Sequence, residues 1–327
     1  MQGNERILRC AVAPAEAGLG LAAFLAARFP YHDEEEWAAL AAAGALLVNG
    51  APAATGFRLA GGDEVRFVPP AGHEPPVDKA VTVLYEDADI MLVNKPGNLP
   101  AHPAGKYFNN TLWRLLKDRF GVAEPSIINR LDRETSGVTL VARNPAAAEA
   151  CRCQFSARGV SKKYIVFVEG ECPAPLRARG YLGPAAGSAV RKKMLFTPSQ
   201  EPSPEPGRES RWADTEFRPL KSSGGFSVVE AVPHTGRLHQ IRATLLALGF
   251  PVVGDKIYGV DEGLFLRFIA DALTPEDKAR LRLPRQALHA SELSFRHPAD
   301  GRPMTAAAPL PPDMLALLGP GGSEEWN

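Results

Sequence analysis

The segment Asn129-Arg130-Leu131-Asp132-Arg133-Glu134-Thr135-Ser136-Gly137 sets two carboxylates and two guanidiniums within five residues, directly before the apolar run Val138 to Ala142. It reads as a polar loop between Pro125-Ser126-Ile127-Ile128 and a strand. Thr135, Ser136 and Gly137 suit a tight turn whose hydroxyls bond locally. Taken alone, the segment also fits an ordinary surface turn. Upstream of it, Val81 to Tyr85 and Ile90 to Val93 read as strands around the acidic turn Glu86–Asp89, and Asn110 is placed to cap a helix holding Leu112, Leu115, Leu116 and Phe120. Downstream, Asn144-Pro145 supplies an N-cap followed by a proline at the first helical position. Lys162 to Val168 alternates, with Tyr164, Val166 and Val168 on one face. Phe226 to Val232 is another strand. Thr235-Gly236 opens a helix striped by Leu238, Ile241, Leu245 and Leu248 and closed by Gly249. Strands and helices mix without the regular alternation of a doubly wound sheet, so the fold class is α+β.

The first 70 residues form a unit of their own. Leu21, Phe24, Leu25 and Phe29 have helical spacing, and a second helix runs through Trp37 and Leu40 to Ala43, stopped by Gly44. Leu46 to Val48 is a short strand with Asn49-Gly50 as its hairpin turn. Gly61-Gly62-Asp63 is another turn, before Val65 and Phe67 on a strand. Pro69-Pro70 and Pro75-Pro76 follow, and such a density of proline continues neither a helix nor a central strand. The expected organisation is a small domain over 1–70, a linker over 71–79, a catalytic domain over 80–318 and a disordered tail over 319–327. Pro198 to Gly207 reads as an exposed loop.

The 327 residues suit two domains, and 45% hydrophobic with 23% charged residues suits a soluble globular chain with a real core. Cys10, Cys151, Cys153 and Cys172 contain no CxxC pair, which points to reduced thiols rather than zinc. Met1 to Cys10 carries no apolar h-region, and Ala38 to Val48 is too short to span a bilayer. A cytoplasmic protein without a membrane partner is expected. The net charge is +0, so attraction to nucleic acid must come from local clusters. The candidates are Arg130 with Arg133, then Arg158, Lys162 and Lys163, then Arg191, Lys192 and Lys193.

A second polar segment, Pro233-His234-Thr235-Gly236-Arg237-Leu238-His239-Gln240-Ile241-Arg242, crowds two histidines, two arginines and a glutamine around a helix start. Arg242 follows Ile241 by about 100° on a helix, at the edge of the buried stripe, where a guanidinium reaches into a cleft. Local capping accounts for His234 and His239 equally well. A metal site would need a third ligand such as His289, and the spacing does not demand one.

Together the two segments resemble the signature blocks of the RluA family of pseudouridine synthases. His-Arg-Leu-Asp-x-x-Thr-Ser-Gly is matched from Asn129 to Gly137, with asparagine where histidine is commoner. Thr-Gly-Arg-x-His-Gln-Ile-Arg is matched from Thr235 to Arg242. Asn94 to Pro100 with His102-Pro103, Lys162-Lys163-Tyr164, Gly249 to Asp255 with Tyr258, Leu288-His289-Ala290, Phe295, His297-Pro298 and Ala308 to Pro311 continue the resemblance, in order, over roughly residues 80 to 315. The N-terminal unit resembles the alpha-L RNA-binding motif through Gly44, Val48-Asn49-Gly50 and Gly62-Asp63. It carries Asp33-Glu34-Glu35-Glu36 where that motif presents basic residues, so a weak grip on RNA is expected.

The resemblance implies a mixed, mostly antiparallel sheet with flanking helices around a catalytic cleft. It implies an isomerase that cuts uracil from ribose in a tRNA or rRNA, rotates it and rejoins it through carbon 5. No atom is added and no redox change occurs, so no metal or cofactor is expected, and a monomer is the default. Asp132 would be the catalytic carboxylate, as nucleophile or base. Arg242 would hold it ionised, and Tyr164 would pack on the target base. Arg130, Arg133, Ile241, Lys162, Arg237 and His239 would contact substrate, with Arg130 helping to extrude the uridine. Two rival readings are an RNA chaperone that binds without turnover and a hydrolase built on Asp132 or a His234/His239 metal site.

Overall fold

The strand Ser136–Ala142 is buried at every residue, a pattern reserved for the middle of a sheet covered on both faces. The computed structural model describes residues 8–29, 31–54, 56–68, 70, 74–202 and 210–319. The described residues pack as two units. One draws on Met1–Val77 and His102–Leu115, the other on Asp78–Ala101 and Leu116–Asn327. In the first, the strands run in the order Leu8–Ala11, Glu64–Phe67, Leu46–Val48, Ala51–Pro52 beside the helices Leu21–Arg28 and Glu34–Ala42. Trp37 stands edge-on to Phe67, which meets Phe108 in the same way. The acidic run finds its use locally. Asp33 accepts the Glu36 N–H and Glu36 returns to the Asp33 N–H, a capping box that sets negative charge at a helix start. Glu74 accepts the N–H groups of Phe108, Asn109 and Asn110. Of the expected linker, 71–73 lie outside the described residues, as do all of the expected tail beyond Gly319 and 203–207 of the expected loop.

The larger unit holds an 11-stranded sheet among its described residues. Its main path runs Met194–Pro198, Leu176–Pro184, Arg211–Ser223, Phe226–Pro233, Ser161–Glu169, Leu288–Arg296, Ser136–Ala142, Ile90–Lys95, Thr82–Glu86. Every described pairing is antiparallel except that of Leu288–Arg296 with Ser136–Ala142, where His289 lies opposite Ser136 and Ala290 opposite Gly137. A β-carbon on Gly137 would stand 2.2 Å from the Ala290 carbonyl oxygen, and its φ is +116°. Only glycine allows this crossing. His289, buried beside it, meets the Ser136 hydroxyl through Nδ1 at 2.9 Å and the Ala308 carbonyl through Nε2 at 3.1 Å. It pins strands together, with both ring nitrogens taken up by protein partners.

The alternation in Ser161–Glu169 separates two cores rather than core from solvent. Val166 and Val168 pack with Val229, Ala231 and the helix residues Ile241 and Leu245, while Ile165 and Phe167 face Phe226, Val228 and Leu283. The helix Pro145–Ser156 begins as expected, with the Asn144 side chain accepting the Ala147 N–H. It buries Cys151 and exposes Cys153, and all four thiols are free.

Two expectations are corrected. Thr111, not Asn110, accepts the Arg114 N–H at the helix start, while the Asn110 amide goes to the Pro75 carbonyl. The helix expected from Thr235 begins at Gln240. Leu238 is 53% exposed instead of lying on its apolar stripe. The cause is Gln240: its Oε1 accepts the Thr235 hydroxyl and the Arg237 N–H, and its Nε2 reaches Asp214 O and Thr215 Oγ1. These bonds satisfy Thr235–His239 as a loop. No described helix is long and apolar enough to cross a membrane.

Candidate active site

The polar loop is fastened at both ends. Asn129, at the position where the resemblance departs, accepts the Leu140 N–H at 2.6 Å and donates to Val138 O at 3.0 Å. The side chain continues the strand pairing that the backbone there does not make. On the other side, Lys95 is wholly buried and donates to the carbonyls of Pro96, Leu99 and Arg133. Burial, then the charge of Arg285, brings its ammonium down to about 7. Three carbonyls match the three donors of an ammonium group.

Between these anchors Asp132 enters an open cleft, its side chain 29% exposed. Arg242 meets it there. Its Nη1 donates to Asp132 Oδ2 at 2.8 Å, while Nε and Nη2 form a fork on Asp255 at 2.6 and 2.9 Å. Asp255 is fully buried and also accepts the N–H groups of Ile257 and Tyr258. The guanidinium thus has one carboxylate that fixes it and one that it serves. Burial alone would raise the pKa of Asp132. The charge of Arg242, then the electrostatic influence of the nearby His239 ring, and hydrogen bonds from Arg242 and Gln286 more than reverse this, so the carboxyl sits below its usual range. Arg242 is driven the opposite way. Burial opposes its charge, but Asp255 and Asp132 hold it firmly protonated.

Arg130, Asp132, Lys162, Tyr164, Arg237, His239, Ile241 and Arg242 all line this cleft. Eight of the nine residues expected at the site are brought together. Arg133 turns away, donating to Glu134 at 2.8 Å with its guanidinium over the Phe268 ring. Tyr164 is held as a phenol: burial, then the charge of Asp132, pushes it up to about 12. Lys162 and Arg237 are both lowered by burial, and Lys162 further by Arg237. Lys193 of the third basic cluster is committed to Glu262 at 2.6 Å, and Lys192 lies over the Phe265 ring.

His234 meets Glu216 and His239 meets Tyr258, so the two histidines serve different partners. Among the described residues the grouping with metal-ligand spacing is Asp87, Asp89 and His297, none of which lines the cleft. Asp87 is already engaged by Tyr85, His297 and two backbone N–H groups.

Four residues that complete the site were not assigned a role from sequence. Asp255 and Tyr258 lay in a matched block with no chemistry readable from it. Thr135 appeared only as a turn residue, yet its hydroxyl accepts the Gln286 amide at 2.6 Å. Gln286 itself, 3.4 Å from Asp132 Oδ2, carries no local signal.

Residues 89–247 match the family model described as RNA pseudouridylate synthase. The chain is 34% identical over 287 residues to an "Uncharacterized RNA pseudouridine synthase" of Chlorobaculum parvum, covering 84% of this chain and 85% of the relative. It is 32% identical over 319 residues to "Ribosomal large subunit pseudouridine synthase D" of Xanthomonas campestris, covering 95% and 92%. Among solved structures, "Human RNA Pseudouridylate Synthase Domain Containing 1" superposes with a TM-score of 0.55 at 27% identity, over 72% of this chain and 86% of that one. The expected α+β fold is the one this family has, and the chain belongs to the RluA-type RNA pseudouridine synthases, isomerases that act on RNA.

Proposed function

We propose that Asp132 is the carboxylate that works on the ribose–uracil bond of a ribosomal RNA uridine, held ionised by Arg242. The observation that carries this is the single guanidinium shared between buried Asp255 and partly buried Asp132. A partly buried carboxylate of this kind needs its charge stabilised without losing access to substrate, and a fork anchored from behind does both. As nucleophile or base, the carboxylate takes part in cleavage and rejoining, and the reaction as a whole conserves every atom, so it calls for no metal or cofactor. Tyr164 packs on the extruded uracil, with Ile241 beside it. Arg130, exposed at the mouth, occupies the space that the uridine leaves in the stack.

A second cleft shares Lys162 and Pro233 with the first and adds Arg158 and Arg177. Arg237, on the wall of the first cleft, repels Lys162 and is itself repelled by Arg158, which favours a phosphodiester as their counter-ion. Arg133 is assigned to holding the loop through Glu134. Ribosomal RNA of the large subunit is favoured over tRNA because relatives covering most of this chain carry that substrate in their names. The enzyme works as a cytoplasmic monomer on this reading. Its N-terminal unit is a degenerate RNA-binding domain that orients the substrate more than it grips it.

The test is pseudouridine mapping by carbodiimide labelling and primer extension on total RNA from cells with and without the gene. One site in large-subunit rRNA disappears, and the wild-type chain restores it while Asp132→Ala does not. Restoration by Asp132→Ala would overturn the catalytic assignment. A lost site in tRNA alone would overturn the substrate.

A further inference from the structure

We infer that His239 is a positioning residue for Asp132: Tyr258 locks its imidazole in the neutral tautomer with the proton on Nε2, and that N–H faces the one carboxylate oxygen that Arg242 leaves open. The inference rests on Asp132 as the reacting carboxylate.

Asp132 Oδ2 is engaged by Arg242 at 2.8 Å and by Gln286 at 3.4 Å. Oδ1 faces His239 Nε2 at 3.9 Å. That gap is too long for a direct hydrogen bond. At that distance a neutral N–H acts on Oδ1 as an oriented dipole, and a small turn of the carboxylate on substrate binding would bring the two within hydrogen-bond reach.

The other face of the imidazole decides where its proton sits. His239 Nδ1 lies 2.9 Å from the Tyr258 hydroxyl. That hydroxyl is buried and already accepts the Met194 N–H at 2.7 Å. Its single proton therefore needs an acceptor, and among the described residues Nδ1 is the one within reach. A bond in the reverse sense, from Nδ1–H to the phenol oxygen, would leave a buried O–H unsatisfied. With Nδ1 accepting, a neutral ring carries its proton on Nε2. The ring is kept neutral by burial first and then by the charge of Arg242, with Lys192 acting the same way and Asp132 and Asp255 opposing, bringing its pKa down to about 4. The backbone supports a fixed ring: His239 has φ 57°, a conformation that persists where its surroundings over-determine it.

One short turn holds both arms of the site. Asp255 fixes Arg242, and Tyr258, three residues on, fixes His239. An uncharged N–H stabilises the carboxylate without offering a second base, since a protonated Nε2 has no lone pair to accept with. His239 is thereby excluded as the general base.

The test is 15N NMR of the full chain labelled at histidine, with His239→Gln used for assignment. At pH 7 the expected pattern is a protonated Nε2 and a pyridine-like Nδ1. A protonated Nδ1, or an imidazolium, overturns the proposal, and this readout needs no Tyr258 variant to fold. In single-turnover assays on the RNA substrate, His239→Ala lowers the rate on the order of 10–100-fold with half-saturation little changed. His239→Gln, which keeps a neutral N–H, recovers most of that loss. Tyr258→Phe lowers the rate in the wild-type background but adds less than about threefold to His239→Ala, because the two act as one unit. Equal rates for wild type, His239→Ala and His239→Gln overturn the positioning role while the Asp132 assignment stands. An active Asp132→Asn overturns that assignment and leaves the tautomer measurement intact.

Discussion

Replacing Asp255 by asparagine removes the anchor behind Arg242 while keeping its shape. The carboxylate receives two charge-assisted bonds from Arg242, at 2.6 and 2.9 Å, and its side chain is fully buried. The amide keeps one acceptor oxygen but sets an NH2 against a guanidinium N–H and deletes a countercharge. Breaking a buried ion pair destabilises by about 3–5 kcal/mol. Asp132 still faces the guanidinium at 2.8 Å, so the lower end applies. About 3 kcal/mol corresponds to roughly two decades in the folding equilibrium. Catalysis should fall as well. A guanidinium freed from Asp255 follows Asp132 instead of fixing it, and a misplacement of about 1 Å lowers rates on the order of 100-fold. Urea denaturation followed by tryptophan fluorescence measures the first effect as a lower midpoint at unchanged slope. Single-turnover isomerisation of the RNA measures the second. An unchanged midpoint together with a rate within about threefold of wild type would refute the anchoring role.

Gly137→Ala should destabilise by more than about 3 kcal/mol, since strained backbone and a clash with main-chain atoms combine there, whereas Gly170→Ala, with φ +81° and open space around its β-carbon, should lose only about 1–2 kcal/mol; comparable urea midpoints for the two would contradict the close strand crossing. Tyr164→Ala should lower kcat/KM by about 10–100-fold through lost stacking, while Tyr164→Phe keeps its ring and most of that term. With the phenol held up to about 12, no alkaline limb from Tyr164 is expected in the wild-type pH–rate profile below about pH 11. His289 has a folded pKa brought down to about 4, chiefly by burial, so on acidification the unfolded chain takes up its proton first. Stability is therefore full above about pH 6.5 and falls as pH drops toward 4, by up to about 3 kcal/mol for this group. A urea midpoint that is flat over that window, or one that falls equally in His289→Gln, would exclude it.

What could be read from sequence was whatever chemistry the chain keeps local. Asn144-Pro145 announces its helix because cap and proline act on the next turn, and Asn49-Gly50 announces its hairpin for the same reason. Asp132, Tyr164 and Arg242 were legible because each stands in a polar interruption of an apolar pattern or in a matched block. The helix start at Gln240 was not legible. Thr235-Gly236 has the composition of a cap, and only the reach of Gln240 across to Asp214 and Thr215 keeps the next residues out of the helix. Arg133 shows the same limit. Its charge is visible in the chain, but whether it faces substrate or Glu134 depends on Phe268, 135 positions away, counted from 133 to 268. Gln286 and Asp255 act on Asp132 and Arg242 through tertiary placement alone, and nothing beside them in the chain marks that.

The parallel seam at Gly137 also sets a schedule for synthesis. The strand that follows the polar loop pairs on one side with Ile90–Lys95, which is already made, and on the other with Leu288–Arg296. Ser136 and its partner His289 are 153 residues apart. At about 5–20 residues per second, a ribosome needs about 8–30 s to span that distance. For that interval the nascent chain carries Asp132 without Gln286 or the seam that seats its loop, and an apolar strand edge stands open to aggregation. The pairing at Ser136 and Gly137 thus waits for Leu288–Arg296 to be made, and until then this edge is the part of the sheet most open to mispairing.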